Sequence, residues 1–153
     1  MASTFQPFQE EHQIFRQQVR TFVETELAPK VDQWEEEKIF PSSVFERAGE
    51  LGILGAHYPE EVGGGGGDFW MSVVKSEELA RCGSAGVTMG LLVQSDMATP
   101  VLNDLGSRDV KDEFLIPAIR GEKVAALGVS EPGAGSDVAG LRTTARKVGD
   151  DYV

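Results

Sequence analysis

The sequence predicts a mainly α-helical chain that changes to β character near its end. Three observations carry that reading. Near the start, apolar residues recur at a helical period. Further on, Ser43, Asp68, Ser84 and Ser107 each stand before an apolar run, as helix caps do. After Gly121 the pattern switches to short apolar or alternating stretches broken by turn residues.

The first helix is expected over about residues 7–28, because Phe8, His12, Phe15, Val19 and Phe22 recur at steps of 4, 3, 4 and 3, with Val23 and Leu27 widening the stripe. Pro29 should end it, having no N–H to continue the ladder. His12 lies on the apolar stripe and is read as a packing residue rather than a metal ligand. A second helix should open at Ser43, with Ser43 and Glu46 at capping-box spacing, and stop at Gly52. Residues 53–68 contain Pro59 and the run Gly63 to Gly67, so they are read as a loop. Asp68 caps a third helix carrying Phe69, Val73 and Ala80, and Ser84 starts a fourth, apolar on several sides, as in the buried helix of a bundle. Thr99-Pro100 has the form of an N-cap followed by N1, giving a new turn or a kink before Gly106. Ser107 then caps a helix that Pro117 and Gly121 bring to an end. Trp34, Trp70 and Cys82 are read as packing side chains.

Beyond Gly121, Lys123–Ser130 reads as a strand, Thr143–Val148 alternates, Gly149-Asp150-Asp151 turns, and Tyr152-Val153 begins a return strand. Residues 1–121 are therefore expected to form an all-α domain, and 122–153 the start of a β domain that this length of chain does not complete.

Of the 153 residues 41% are apolar, enough for a packed core, and 14 Lys and Arg against 25 Asp and Glu leave a net charge of −11. Such an excess argues against nucleic-acid binding, which needs a basic footprint, and against adhesion to anionic membrane. No apolar run is long enough to span a bilayer, and Met1–Glu11 lacks the basic and apolar regions of a secretory leader. One cysteine and two histidines argue against a disulfide framework and a structural zinc site. A cytoplasmic setting is expected.

Two glycine-rich segments bear on function. Gly63–Gly67 followed by Asp68 lacks the third glycine of a dinucleotide loop, and Glu131–Val138 likewise has Val138 there; neither is a Walker loop. The second segment is still unusual for a turn. An apolar stretch delivers Ser130, Glu131 and Pro132, and two glycines, Ser136 and Asp137 follow. Glycines let backbone N–H groups converge and hydroxyls add donors without bulk, which suits a phosphate or a polar ring edge.

The run Ala126-Leu127-Gly128-Val129-Ser130-Glu131-Pro132-Gly133-Ala134-Gly135-Ser136-Asp137-Val138-Ala139-Gly140 resembles the signature of the acyl-CoA dehydrogenase family. Phe40-Pro41, Leu51-Gly52-Ile53, Pro59–Gly64, Gly66, Asp68, Glu78–Arg81, Gly106, Lys111, Pro117 and Gly121-Glu122 extend the resemblance along almost the whole chain. It implies the N-terminal helical domain of that fold followed by the first strands of the middle β domain. The implied activity is FAD-dependent α,β-desaturation of an acyl-CoA thioester, with hydride passing to flavin N5 and electrons passing on to an electron-transferring flavoprotein. A homodimer or homotetramer is the implied assembly. Leu127, Val129, Ser130, Gly135 and Ser136 are the implied FAD-contacting positions, Ser136 also lying near the acyl-CoA; Ser130 stands where many relatives have Thr. Glu131 is implied to be a structural residue of the turn. The catalytic base is implied to lie beyond residue 153, so these residues alone are expected to be inactive. Other readings are a non-catalytic helical interaction domain of the same fold, or an acyl-CoA oxidase or flavin monooxygenase relative. Asp96 is read either as bordering an acyl pocket or as a solvated or capping residue, and Arg142, Arg146 and Lys147 as an exposed basic cluster or a contact for CoA phosphates.

Overall fold

A computed structural model describes residues 7–153; the reading of Met1–Glu11 as no leader falls partly outside them. Helix α1 (Glu10–Phe22) starts with Glu10 and Glu11, whose charges suit the positive end of the helix dipole, and buries His12, Val19 and Phe22. It does not stop cleanly at Pro29. The helix widens into a π turn over Val23–Leu27, tightens into a 3-10 turn over Ala28–Lys30, and resumes as α2 (Val31–Glu37). Pro29 sits in the first turn of the tightened segment, where a missing N–H is tolerated, so the proline redirects the helix instead of ending it. Sequence periodicity gives no warning of α2, which buries Val31 and Trp34 and ends where Lys38 turns left-handed at φ 58°.

Helix α3 (Ser43–Glu50) takes Ser42 as its cap, so the expected Ser43–Glu46 capping box is not the one used. Its stop is as read. Gly52 has φ +69°, its N–H bonds to Gly49 O (2.8 Å), and Ile53 N–H bonds to Ala48 O (2.9 Å), the paired 5→2 and 6→1 bonds of a Schellman end. Nothing stands within 4 Å of a Cβ built on Gly52. Gly52→Ala is therefore expected to cost only the left-handed backbone penalty of about 1–2 kcal/mol, checked by urea denaturation.

The glycine loop leads to α4 (Phe69–Leu79), where Asp68 Oδ1 accepts the Trp70 N–H at 2.9 Å as the cap requires. Helix α5 (Ala85–Leu92) is capped by Ser84, whose hydroxyl accepts the Val87 N–H. It passes through a π turn (Val93–Ala98) into α6 (Pro100–Leu105), with Pro100 at the start of α6 as expected. Ser107 caps α7 (Arg108–Val110), a further π turn covers Lys111–Leu115, and α8 (Ile116–Ile119) follows. Pro117 lies in the first turn of α8 and does not terminate it; Gly121, at φ +77°, does.

The core gathers Val19, Phe22, Leu27, Trp34, Phe45 and Leu91 from five helical segments, and a second cluster holds Tyr58, Val62, Leu115 and Ile119. His12 is buried with both ring nitrogens engaged, by Gln9 N–H (2.8 Å) and Asp68 Oδ1 (2.9 Å), a packing role. Trp34 and Cys82 are buried, and Trp70 is half-buried edge-on to Phe8.

Strand content is small and late. β1 (Lys147–Val148) pairs antiparallel with β2 (Asp151–Tyr152) across Gly149 (φ +65°) and Asp150. Lys123–Ser130, read as a strand, has no ladder: a strand exists through its partner's hydrogen bonds, and none of the described residues supplies them.

Candidate functional site

The segment that leaves the helical body at Gly121 carries every residue implied to touch a cofactor. Its first part is tightly held. Glu122 and Lys123 donate their N–H groups to Pro117 O (2.9 and 3.3 Å), and Lys123 Nζ bonds Glu113 O (2.8 Å) while lying 4.8 Å from the Phe114 ring centre. Gln94, buried in the π turn after α5, donates from Nε2 to Ala118 O (3.0 Å) and Lys123 O (2.8 Å). Its Oε1 accepts the Ala125 N–H at 2.6 Å.

Past Ala125 the segment is open. Leu127 and Val129 are 48% and 39% exposed although both are apolar, and Ser130, Gly135 and Ser136 are exposed as well. A Cβ built on Gly128, Gly133 or Gly135 would meet nothing within 4 Å, so the backbone there is bare on a side that the chain itself does not fill. Glu131 shapes the turn. Its N–H and C=O pair with those of Ala134 (2.8 and 3.1 Å), and its carboxylate accepts Arg142 N–H (2.9 Å), Thr143 N–H (2.8 Å) and the Thr143 hydroxyl. These bonds, that of the Thr143 hydroxyl foremost, hold its carboxyl below the ordinary glutamate range. A carboxylate so occupied is a clamp between residues 131 and 143. The shallow groove beside it, about 460 Å³, is lined by Glu131, Pro132, Gly133, Gly140, Arg142 and Thr143. The five implied residues thus share one exposed run without being gathered into a single cavity. Arg142, Arg146 and Lys147 are exposed.

That surface suits a flat, polar-edged cofactor with a pyrophosphate: bare backbone donors, two small hydroxyls, and two apolar side chains beside them. Among the described residues no group of three or more His, Cys, Asp or Glu could hold a metal, and no helix is long and apolar enough to cross a membrane.

A second polar constellation escaped sequence reasoning. Lys75, on α4 and wholly buried, points its Nζ at Asp96 Oδ2 (2.9 Å) and Ser95 Oγ (2.9 Å), and Ser95 Oγ in turn donates to Asp96 (2.7 Å). Asp96 is therefore no cap; a quarter exposed, it neutralises a buried ammonium. It does also border a largely apolar cleft of about 450 Å³, with Phe69, Val73, Met89, Leu92 and Met97 as walls. Burial pushes Lys75 below the ordinary lysine range although Asp96 opposes it; for Asp96, burial is outweighed by Lys75 and the hydrogen bonds, and its carboxyl sits low. Nearby, Tyr58 is pushed up to about 12 by burial, and its hydroxyl donates to Ser95 O at 2.8 Å. His57, 3.1 Å from the Ser72 hydroxyl, is shifted down, first by burial and then by Lys75. The available signal was a lysine and a glutamine set among apolar neighbours; their partners lie too far along the chain for local patterning to find.

The family described as "Acyl-CoA dehydrogenase, N-terminal domain" matches residues 9–122. The mitochondrial short-chain specific acyl-CoA dehydrogenase of Rattus norvegicus is 39% identical over 145 residues, 94% of this chain and 35% of its own length. A crystal structure of an acyl-CoA dehydrogenase from Geobacillus kaustophilus superposes with TM-score 0.89 at 37% identity, over 98% of this chain and 39% of that one. One from Bacillus anthracis, complexed with FAD, superposes with TM-score 0.87 at 32% identity, over 97% of this chain and 26% of that one. The chain spans about a third of the length of the curated relatives it matches.

Proposed function

Because the chain belongs to the acyl-CoA dehydrogenase family, we propose that it supplies the helical body and the first cofactor-facing segment of an FAD-dependent enzyme that desaturates an acyl-CoA thioester at Cα–Cβ. The observation that carries this reading is the exposure of Leu127, Val129, Ser130, Gly135 and Ser136 on a segment that is fixed to the helical body at its root and open beyond it.

FAD, when bound, supplies the hydride acceptor. The residues of this chain bind and orient. Val129 offers backbone groups, and Ser130 its hydroxyl, to the polar edge of the ring, while Leu127 lends apolar cover. Gly135 and Ser136 present N–H and O–H donors to the pyrophosphate, with Ser136 also beside the acyl-CoA. On a chain of charge −11 such donors must be local, since the overall field repels an anion. Glu131 does not serve as the base, because its oxygens are already taken up by Arg142 and Thr143. We place the base outside residues 1–153, the partner for reoxidation in an electron-transferring flavoprotein, and the assembly in a homodimer or homotetramer. We place the protein in the cytoplasm, as its acidity and single cysteine suit.

The test is Ser130→Ala in the longest natural polypeptide that carries these residues, titrated with FAD by flavin fluorescence. Losing one hydrogen bond of about 1 kcal/mol should weaken binding roughly fivefold. Affinity and reduction equal to the unsubstituted protein would remove Ser130 from the site.

A further inference from the structure

We propose that Gln94 is a positioning residue for the flavin-facing segment, a role that rests on the reading given under Proposed function. Gln94 is 1% exposed and lies in a π turn, a widened stretch of helix that often marks a functional position. Its own backbone is pinned: Gln94 O accepts the Thr99 hydroxyl (2.6 Å), and Thr99 Oγ1 in turn lies 2.8 Å from the Tyr58 hydroxyl. The side chain therefore leaves a fixed point. From there one amide makes three bonds, to Ala118 O at the end of α8, and to Lys123 O and Ala125 N–H in the departing segment.

The geometry of those bonds sets direction as well as attachment. An amide group is planar, so engaging its N–H₂ with two carbonyls and its oxygen with one N–H fixes where residue 125 lies relative to α8. Glu122 and Lys123 fasten the root to Pro117 and Glu113, but Ala125 is the last residue that these bonds tie to the helical body. Leu127 follows two residues later, and Val129 and Ser130 two and three residues after that. An error of aim at Ala125 grows along an extended backbone at about 3.3 Å of chain per residue. Gln94 thus sets the position of the flavin-facing groups without touching the flavin.

Gln94→Met keeps the length and removes every side-chain hydrogen bond of Gln94. Ala125→Pro removes the N–H that Gln94 Oε1 accepts, and also fixes φ at 125 and restricts residue 124, while keeping the Gln94 bonds to Ala118 O and Lys123 O. Two readouts separate the possibilities. Hydrogen exchange of residues 122–130, compared with that of α1 and α4, reports whether the segment is held. FAD titration in the longest natural polypeptide carrying these residues, followed by bound-flavin absorption and fluorescence, reports whether that holding matters. In both variants, segment exchange should rise about tenfold with the α1 and α4 amides unchanged, and FAD should bind about tenfold more weakly with an altered bound spectrum, as the loss of one (Ala125→Pro) or two (Gln94→Met) hydrogen bonds to the segment implies. Unchanged exchange at 122–130 in both variants would overturn the role of Gln94 whatever the flavin does. Faster exchange with unaltered FAD affinity and spectrum would overturn its bearing on the cofactor. Failure of the unsubstituted protein to bind FAD would overturn the flavin reading and the proposal with it; the exchange data would then report only on the attachment of the segment.

Discussion

Asp96→Ala is expected to lower stability by about 3–5 kcal/mol, because it strands an ammonium in the core. Lys75 has no exposed surface, and without Asp96 the partner left to it among the described residues is the Ser95 hydroxyl, which cannot neutralise a charge. The reciprocal change is milder: Lys75→Met leaves Asp96, a quarter exposed, able to reach water. Replacing both, as Lys75→Met with Asp96→Leu, should recover most of the loss, since well-packed apolar residues often match a buried pair. The single variant also carries a pH signature. The Lys75 pKa in the fold already lies below its unfolded value, and losing Asp96 lowers it further. Between the two values the unfolded chain binds more protons, so the stability of Asp96→Ala should rise with pH through that alkaline window. Urea denaturation across that range checks both claims; a cost below about 1 kcal/mol with no alkaline recovery would mean that water reaches Lys75.

How far such features were legible follows from how far apart their causes lie in the chain. Asp68, Ser84 and Ser107 could be read as caps because the N–H each accepts lies two or three residues away. Gly52 was equally local, its two terminal bonds spanning three and five residues. Pro29 and Pro117 misled because a proline forbids one backbone bond but not a change of helical pitch, and the chain takes up both prolines just after π turns. Helix α2 is short and mostly acidic, with Val31 and Trp34 alone turned inward, too few positions for a period. Of the two readings of Asp96, bordering a pocket agrees with the apolar cleft it lines, but its ion pair was not legible since the partner stands 21 residues earlier on another helix. The implied flavin residues came from the resemblance; the structure adds their exposure and the clamp at Glu131, whose partners at 142 and 143 no local pattern would supply.

Acid should unfold the helical body through Glu78, and Glu78→Leu should flatten that response. Glu78 is 2% exposed and receives Arg20 through two bonds of 2.8 Å and Arg16 at 2.9 Å, joining the far ends of α1 and α4. His12 and Asp68 join the near ends, so the two helices run side by side in the same direction, bolted at both ends. The bonds from Arg20, then those from Arg16, hold the Glu78 carboxyl below its ordinary value of 4.5 against the burial that opposes them. The folded pKa lies under the unfolded one, so the unfolded chain takes up more protons as the medium is acidified. The contribution of Glu78 is thus fully present above the ordinary glutamate range and is lost as pH falls through the folded value. Arg16 and Arg20 keep 17% and 35% of their side-chain surface in water, so removing their partner does not leave them wholly buried. Glu78→Leu is accordingly expected at the low end for a broken buried pair, about 3 kcal/mol at neutral pH. The difference from the unsubstituted chain should narrow as pH falls through the folded value. Circular dichroism followed through parallel acid titrations of the two proteins reads this directly. Curves that stay the same distance apart down to the acid limit would show that Glu78 acts by packing rather than by charge.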